Sequence, residues 1–131
     1  MNLSNMTLQA IFDHVAAHLL TQNAKAIDDT GACRYRDGTR KCAVGACIDD
    51  SEYEQGMEGA TIGLEGSSAA SMVRDALGIM LDDPRTHLLS ELQQIHDSSP
   101  VVLWPRHLSV IARNEGLSSE VVTRFTSPPS A

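Results

Sequence analysis

Apolar residues recur every three or four positions in four stretches of this chain, and each stretch predicts an amphipathic helix. The first stretch follows Thr7, a residue type that commonly caps helix N-termini, and it stops before Asn23. Asp83-Pro84 begins the third predicted helix, and Gly116 follows the fourth. The predicted helices span residues 8–21, 67 or 68 to 80, 84–97 and 104–114, with a short fifth helix after residue 118.

A small β-hairpin is predicted between the first two helices. Asp37-Gly38 is the strongest turn signal in the chain, and the short polar runs 33–36 and 39–42 flank it. Residues 43–48 fit either a continued strand or a short buried helix, and the spacing of their apolar residues favours the helix. The sequence therefore predicts an α+β fold, a mainly helical single domain over residues 1–125 with a small β-hairpin. The small, Pro-rich residues 126–131 predict a disordered tail.

Composition narrows the possible functions. The chain has 131 residues, 42% of them apolar but only 4% aromatic, which suits helices packed on helices. Its net charge of −7 argues against binding to a nucleic-acid backbone. We find neither a basic leader segment nor an apolar run of membrane-spanning length, and the cysteine count is odd. We therefore expect a cytoplasmic protein with reduced thiols, no membrane association and no cofactor.

Four of the ten Lys and Arg residues straddle the predicted hairpin, beside both tyrosines. In a strand pair, Arg34 and Arg36 would project to the same face and form an anion clamp. The alternative is that carboxylates nearby in sequence neutralise these cations through ordinary surface ion pairs. The ligand-binding candidates are Arg34, Tyr35, Arg36, Lys41 and Tyr53.

The three cysteines suggest two kinds of chemistry and one structural role. Cys33, Cys42 and Cys47 contain no CxxC pair, so a zinc site would need a distant fourth ligand such as His96. No metal site is therefore expected, and buried packing cysteines are favoured.

Cys42 is also a candidate nucleophile, because the preceding Arg40 and Lys41 and a following helix N-terminus would lower its thiol pKa. His96 is the candidate base. His96 lies on the apolar stripe of its helix, which favours a satisfied core histidine, and the adjacent Asp97 is not expected to face it. Trp104 is expected to pack in the core or to line a pocket.

Four segments between Cys33 and Gly59 form a distinctive pattern: Cys33-Arg34-Tyr35-Arg36, Lys41-Cys42-Ala43-Val44-Gly45, Ile48-Asp49-Asp50 with Tyr53, and Met57-Glu58-Gly59. Together they resemble a family of small uncharacterised proteins from bacteriophages and prophages. The resemblance extends to the first helix, to Leu92–Asp97 and to Trp104, and it departs at Ala46, where similar proteins often have a cysteine. It implies a phage context and no established reaction.

By analogy with small phage accessory proteins, we expect a non-catalytic, anti-defence-like protein that sequesters a small nucleotide-like ligand or binds a host defence protein in the bacterial cytoplasm. A homo-oligomer is expected. One alternative is an acidic module that blocks a basic site on a host protein, and another is a Cys42/His96 hydrolase or transferase. The contact residues of the acidic module would be Asp49, Asp50, Glu52, Glu54 and Glu58.

Overall fold

Helices dominate the computed structural model of this chain, which describes residues 1–126. The described part contains five α-helices, three single 3₁₀ turns (Gly45–Cys47, Gln55–Met57 and Val101–Leu103) and one two-stranded antiparallel hairpin, so the predicted α+β, mainly helical fold class is confirmed. Of the predicted tail, Thr126 is the last residue of a helix, and residues 127–131 lie outside the described residues. The elements are α1 (Leu8–Gln22), β1 (Arg36–Asp37), β2 (Arg40–Lys41), α2 (Ser68–Leu77), α3 (Pro84–Ser98), α4 (Trp104–Asn114) and α5 (Glu120–Thr126).

Helix α1 begins where the sequence predicts and ends one residue later than predicted, at Gln22. The Thr7 hydroxyl accepts a hydrogen bond from the backbone N–H of Ala10 at 3.1 Å, which satisfies one of the free donors of the first turn. Asn23 ends the helix in the left-handed conformation, with φ at 51°. Helix α2 is shorter than predicted, because Gly78 adopts φ 71° and its N–H bonds back to the carbonyl of Arg74.

The core lies between α1 and the C-terminal helices α3, α4 and α5, all of which pack against it. Full burial of each Leu, Ile or Phe side chain contributes about 1.5–3 kcal/mol, so this helical interface is the main source of stability. Trp104 is fully buried with its ring centroid 5.7 Å from that of His96, which confirms its packing role. No helix in residues 1–126 is long and apolar enough to cross a bilayer. The α1 and α3 side chains buried here include Ile11, Phe12, Val15, Leu19, Leu88, Leu89, Leu92 and Ile95.

The hairpin is present, but it is smaller than predicted and its turn is displaced by one residue. Arg36 pairs with Lys41 and Asp37 pairs with Arg40, so the two turn residues are Gly38 and Thr39. Gly38 has φ 61°, and a glycine in that first position is typical of a type II′ turn. Each strand has only two residues, so Cys33 and Arg34 lie outside the ladder. Ile27 and Cys33 form a separate antiparallel bridge.

Residues 43–48 adopt the helical alternative, as a single 3₁₀ turn over Gly45–Cys47. Gly45 packs directly on the backbone of Tyr35: a Cβ atom there would lie 2.0 Å from the Tyr35 carbonyl oxygen. Only glycine permits this approach. This contact between Gly45 and Tyr35 holds the segment after the hairpin against the segment before it.

Candidate functional site

A polar cleft with a volume of about 230 Å³ is the main candidate site. Three segments form its walls: Cys33–Tyr35, the loop from Glu58 to Thr61, and the part of α3 that carries Gln93 and Asp97. These segments are far apart in sequence. The cleft therefore exists only because α3 packs beside the segments around the hairpin.

Two polar side chains of α3 anchor the opposite segments. The Gln93 side-chain oxygen accepts a hydrogen bond from the backbone N–H of Val44 at 3.0 Å, and its Nε2 donates to Asp97 Oδ1 at 2.7 Å. The His96 Nε2 atom accepts a hydrogen bond from the backbone N–H of Ala26 at 2.9 Å. One face of α3 thus holds two distant backbone segments in place and presents the Asp97 carboxylate to the cleft.

These contacts determine the tautomer of His96. Because Nε2 accepts a hydrogen bond, the ring proton lies on Nδ1, which donates to Asp97 Oδ1 at 2.7 Å. The prediction that Asp97 does not face His96 is therefore wrong: Nδ1 lies on the ring edge nearest the backbone, within reach of the neighbouring side chain. The His96 side chain is fully buried, which confirms a satisfied core histidine. Both of its nitrogens are occupied, so it has no free position for a catalytic base.

Glu58 holds the other wall together. Its carboxylate accepts hydrogen bonds from the backbone N–H groups of Tyr35 and Arg36, at 2.9 and 3.3 Å, and from the Tyr53 hydroxyl. The Glu58 side chain is only 13% exposed, so its predicted place in an exposed partner surface is not found. The Tyr35 hydroxyl donates to the carbonyl of Ala60 at 2.6 Å, and burial raises its pKa. Tyr35 and Tyr53 support the wall rather than project into the cleft as free ligand groups.

Arg36 and Lys41 pair internally, as the alternative to the anion clamp predicts. The Arg36 guanidinium lies 2.9 Å from Asp50 Oδ1, donates to the carbonyl of Ile48 and stacks 4.6 Å from the centre of the Tyr53 ring. The Lys41 amine lies 3.4 Å from the same Asp50 oxygen. Neither cation lines the cleft. Arg34 lies outside the two-residue strand, but both arginines lie beside Tyr53: Arg34 contacts its hydroxyl and Arg36 stacks on its ring.

Arg34 is the predicted cation that does line the cleft. Its guanidinium lies 3.7 Å from Glu58 Oε2 and 3.9 Å from Asp28 Oδ2, distances at which the pairing is loose. The buried Nε atom of Arg34 has no hydrogen-bond partner in the described part of the chain. The Arg34 side chain as a whole is 29% exposed, so it is the cation that a ligand bound in the cleft would meet.

The remaining predicted acidic residues lie in the loop after the 3₁₀ turn. Asp49, Asp50, Glu52 and Glu54 are exposed, and the Asp50 side chain is 82% accessible. The amino group of Met1 lies 2.8 Å from Asp49 and 3.3 Å from Glu52 and holds the pKa of Asp49 below its usual range. Part of this acidic surface is therefore already neutralised by the chain itself.

The cysteines separate into two classes. Cys42 and Cys47 are buried, as expected of packing cysteines, but Cys33 is exposed. The low pKa expected for Cys42 is not found, because burial raises the pKa of its thiol. The two preceding cations do not offset this effect, since Lys41 pairs with Asp50 and Arg40 is exposed to solvent. Partial desolvation and then the Asp97 carboxylate also raise the pKa of the Cys33 thiol, although its side chain is exposed. A buried, protonated thiol is the opposite of an activated nucleophile.

Cys33, His96 and Asp97 bring potential metal-ligating atoms within 4.8 Å of one another. A metal ion at Nδ1 of His96 would require that nitrogen to lose its proton while Nε2 still accepts from Ala26, which a neutral imidazole cannot do. These residues therefore fit a hydrogen-bonded cleft wall better than a metal centre.

Sequence reasoning missed Gln93 and Asp97 as cleft residues. Their spacing of four places them on one face of α3, where two polar side chains beside buried leucines are a detectable signal. No protein-family model, no curated protein and no solved structure matches this chain. The resemblance to phage proteins therefore stays a prediction.

Proposed function

We propose that this chain is a phage-encoded accessory protein that sequesters a small, nucleotide-like ligand in the polar cleft without converting it. The observation that carries the proposal is that opposite charges line the cleft, with the Arg34 side chain in one wall and the Asp97 carboxylate in another. A ligand that accepts from the first group and donates to the second would satisfy both walls. The phage context comes from the sequence resemblance.

The charges of the cleft favour the base or nucleoside part of such a ligand over its phosphates. Glu58 and Asp97 line the cleft with Arg34 as their counter-charge, so the net charge of the wall is negative. A phosphate group would meet two carboxylates, whereas ring N–H and amino groups can donate to Asp97 and ring acceptors can accept from Arg34. The volume, about 230 Å³, lies below the usual range for drug-sized pockets, about 300–1,000 Å³, and suits a small ring system.

The state of the nearby titratable groups supports binding without turnover. The Cys33 thiol stays protonated at neutral pH because partial desolvation and Asp97 raise its pKa. His96 donates its proton to Asp97 and accepts from Ala26, so it cannot exchange a proton with a ligand unless those bonds break. General acid–base catalysis needs a group within hydrogen-bond reach of the reacting atom and free to exchange its proton.

The proposal is tested with nucleosides and their 5′-monophosphates in a thermal-shift assay, together with native mass spectrometry of protein purified from bacteria. We expect at least one nucleoside to raise the melting temperature more than its monophosphate does. Arg34→Gln and Asp97→Asn should abolish that shift. Arg40→Gln, the same charge change at an exposed hairpin position outside the cleft, should leave it intact. Loss of the shift in Arg40→Gln, or no shift with any probe, would contradict the proposal.

A second candidate function is the acidic interaction module, which the exposure of Asp49, Asp50, Glu52 and Glu54 favours. An interface made by these carboxylates should weaken steeply between 50 and 200 mM salt. Within that range the Debye length, the distance over which exposed charges interact, passes through about 8–10 Å. Glu54→Gln should weaken capture of a host protein, whereas Arg34→Gln should not. Capture that is insensitive to salt would exclude this candidate.

A further inference from the structure

A cluster of one histidine and two glutamates joins α3 to the end of α4. His87 and Glu91 lie one turn apart on α3, and Glu115 is the residue after the last residue of α4. The His87 Nε2 atom is 3.3 Å from a Glu91 oxygen and 3.8 Å from a Glu115 oxygen. Glu91 precedes Gln93 by two positions, about 200° around the helix. The cluster is therefore on the side of α3 that faces away from the cleft.

This arrangement is electrostatically unfavourable without a cation. One ligand atom from each of His87, Glu91 and Glu115 lies within 4.8 Å of the others, so the two carboxylates stand close together and repel each other. Glu115 also lies at the C-terminal end of α4, where the helix dipole disfavours a negative charge. Within residues 1–126, the ion partner of either carboxylate is His87, whose side chain is 71% exposed. A stronger cation would relieve both costs.

The spacing of these donor atoms matches that of two ligands of one metal ion. Glu91 Oε1 is buried and has no hydrogen-bond partner among the described residues, although His87 Nε2 lies only 3.3 Å away. In a tetrahedral site with metal–ligand bonds of about 2.0–2.1 Å, neighbouring donor atoms are separated by about 3.3–3.4 Å. The pair thus already has the spacing of two ligands of one ion, and Glu115 lies within a small movement of the third position.

We propose that His87, Glu91 and Glu115 bind a divalent first-row transition metal ion, with Zn²⁺ as the best-fitting ion and the fourth position open to solvent. An imidazole nitrogen with two carboxylates is a donor set that Zn²⁺ accepts, whereas Mg²⁺ and Ca²⁺ prefer oxygen ligands alone. The ion would link α3 to the end of α4. This site is separate from the cleft and does not depend on the proposed function.

Titration of the metal-free protein with Zn²⁺ in a calorimeter tests the proposal. We expect one ion per chain and a rise in melting temperature, because an ion that binds only the folded state stabilises it. His87→Asn and Glu115→Gln should each weaken binding at least about tenfold, since even loss of a ligand's supporting hydrogen bond costs about 10–100-fold. Cys33→Ser should bind Zn²⁺ as the unmodified protein does.

One comparison separates a metal site from a merely structural role. In the metal-free protein, Glu115→Gln should raise the melting temperature, because it removes the repulsion with Glu91, yet the variant should gain no further stability from Zn²⁺. Unchanged affinity in both variants, loss of binding in Cys33→Ser, or equal affinity for Mg²⁺ would each overturn the proposal.

Discussion

Replacing His96 with phenylalanine should destabilise the fold although the new ring has a similar size and keeps an apolar contact with Trp104. The change removes the acceptor that His96 Nε2 offers to the backbone N–H of Ala26, and both residues are fully buried. A buried donor left without a partner costs about 1–3 kcal/mol. The lost hydrogen bond to Asp97 adds little, because its carboxylate is 33% exposed and water can replace the ring.

We therefore expect His96→Phe to lower the free energy of unfolding by about 2 kcal/mol. In a chain of this size, that loss corresponds to a fall in melting temperature on the order of 8 °C. Equilibrium unfolding in guanidinium chloride, followed by circular dichroism, measures it. His107→Phe is the matched control, because half-buried His107 bonds only to the Ser99 hydroxyl and its loss should cost under about 0.5 kcal/mol. If His96→Phe were no more destabilising than this control, the assignment of the Ala26 hydrogen bond would be wrong.

Two further predictions concern the residues around the cleft. Gly45→Ala should destabilise the protein by about 3 kcal/mol in the same unfolding assay, because its Cβ would meet the Tyr35 carbonyl oxygen at 2.0 Å. Gly56→Ala is the control and should change stability little, because its nearest new contact is a flexible methionine side chain at 3.5 Å. Cys33 should be the thiol that a disulfide reagent labels in the folded protein, slowly at pH 7 and faster as the pH rises towards its raised pKa. Asp97→Asn should speed this labelling by removing a negative charge that disfavours the thiolate. An unchanged rate would show that the Asp97 carboxylate does not act on the Cys33 thiol.

Local sequence was sufficient for the secondary structure wherever a single residue type determines the backbone. Thr7 caps α1, Asp83-Pro84 begins α3, and Gly116 follows α4, all as predicted from their positions. These residues act through their own side chains or their own φ angle, so the neighbouring sequence is enough to recognise them. The end of α2 was misjudged because the apolar pattern continues past Gly78, and the backbone conformation of that glycine outweighs the pattern.

The candidate sites could not be predicted in the same way, since each combines residues distant in the chain. Pairing of the hairpin cations was one of two open alternatives, and only the position of the acidic loop beside the strands decided it. Asp97 and Arg34 meet at one cleft because α3 packs near the hairpin, and Glu115 meets His87 because α4 returns along α3. The sequence by itself determined the helices, their caps and the fold class through short-range sterics and periodicity. The tertiary structure alone decided which charges are neutralised and which polar groups face a cleft, because packing of the core sets those distances.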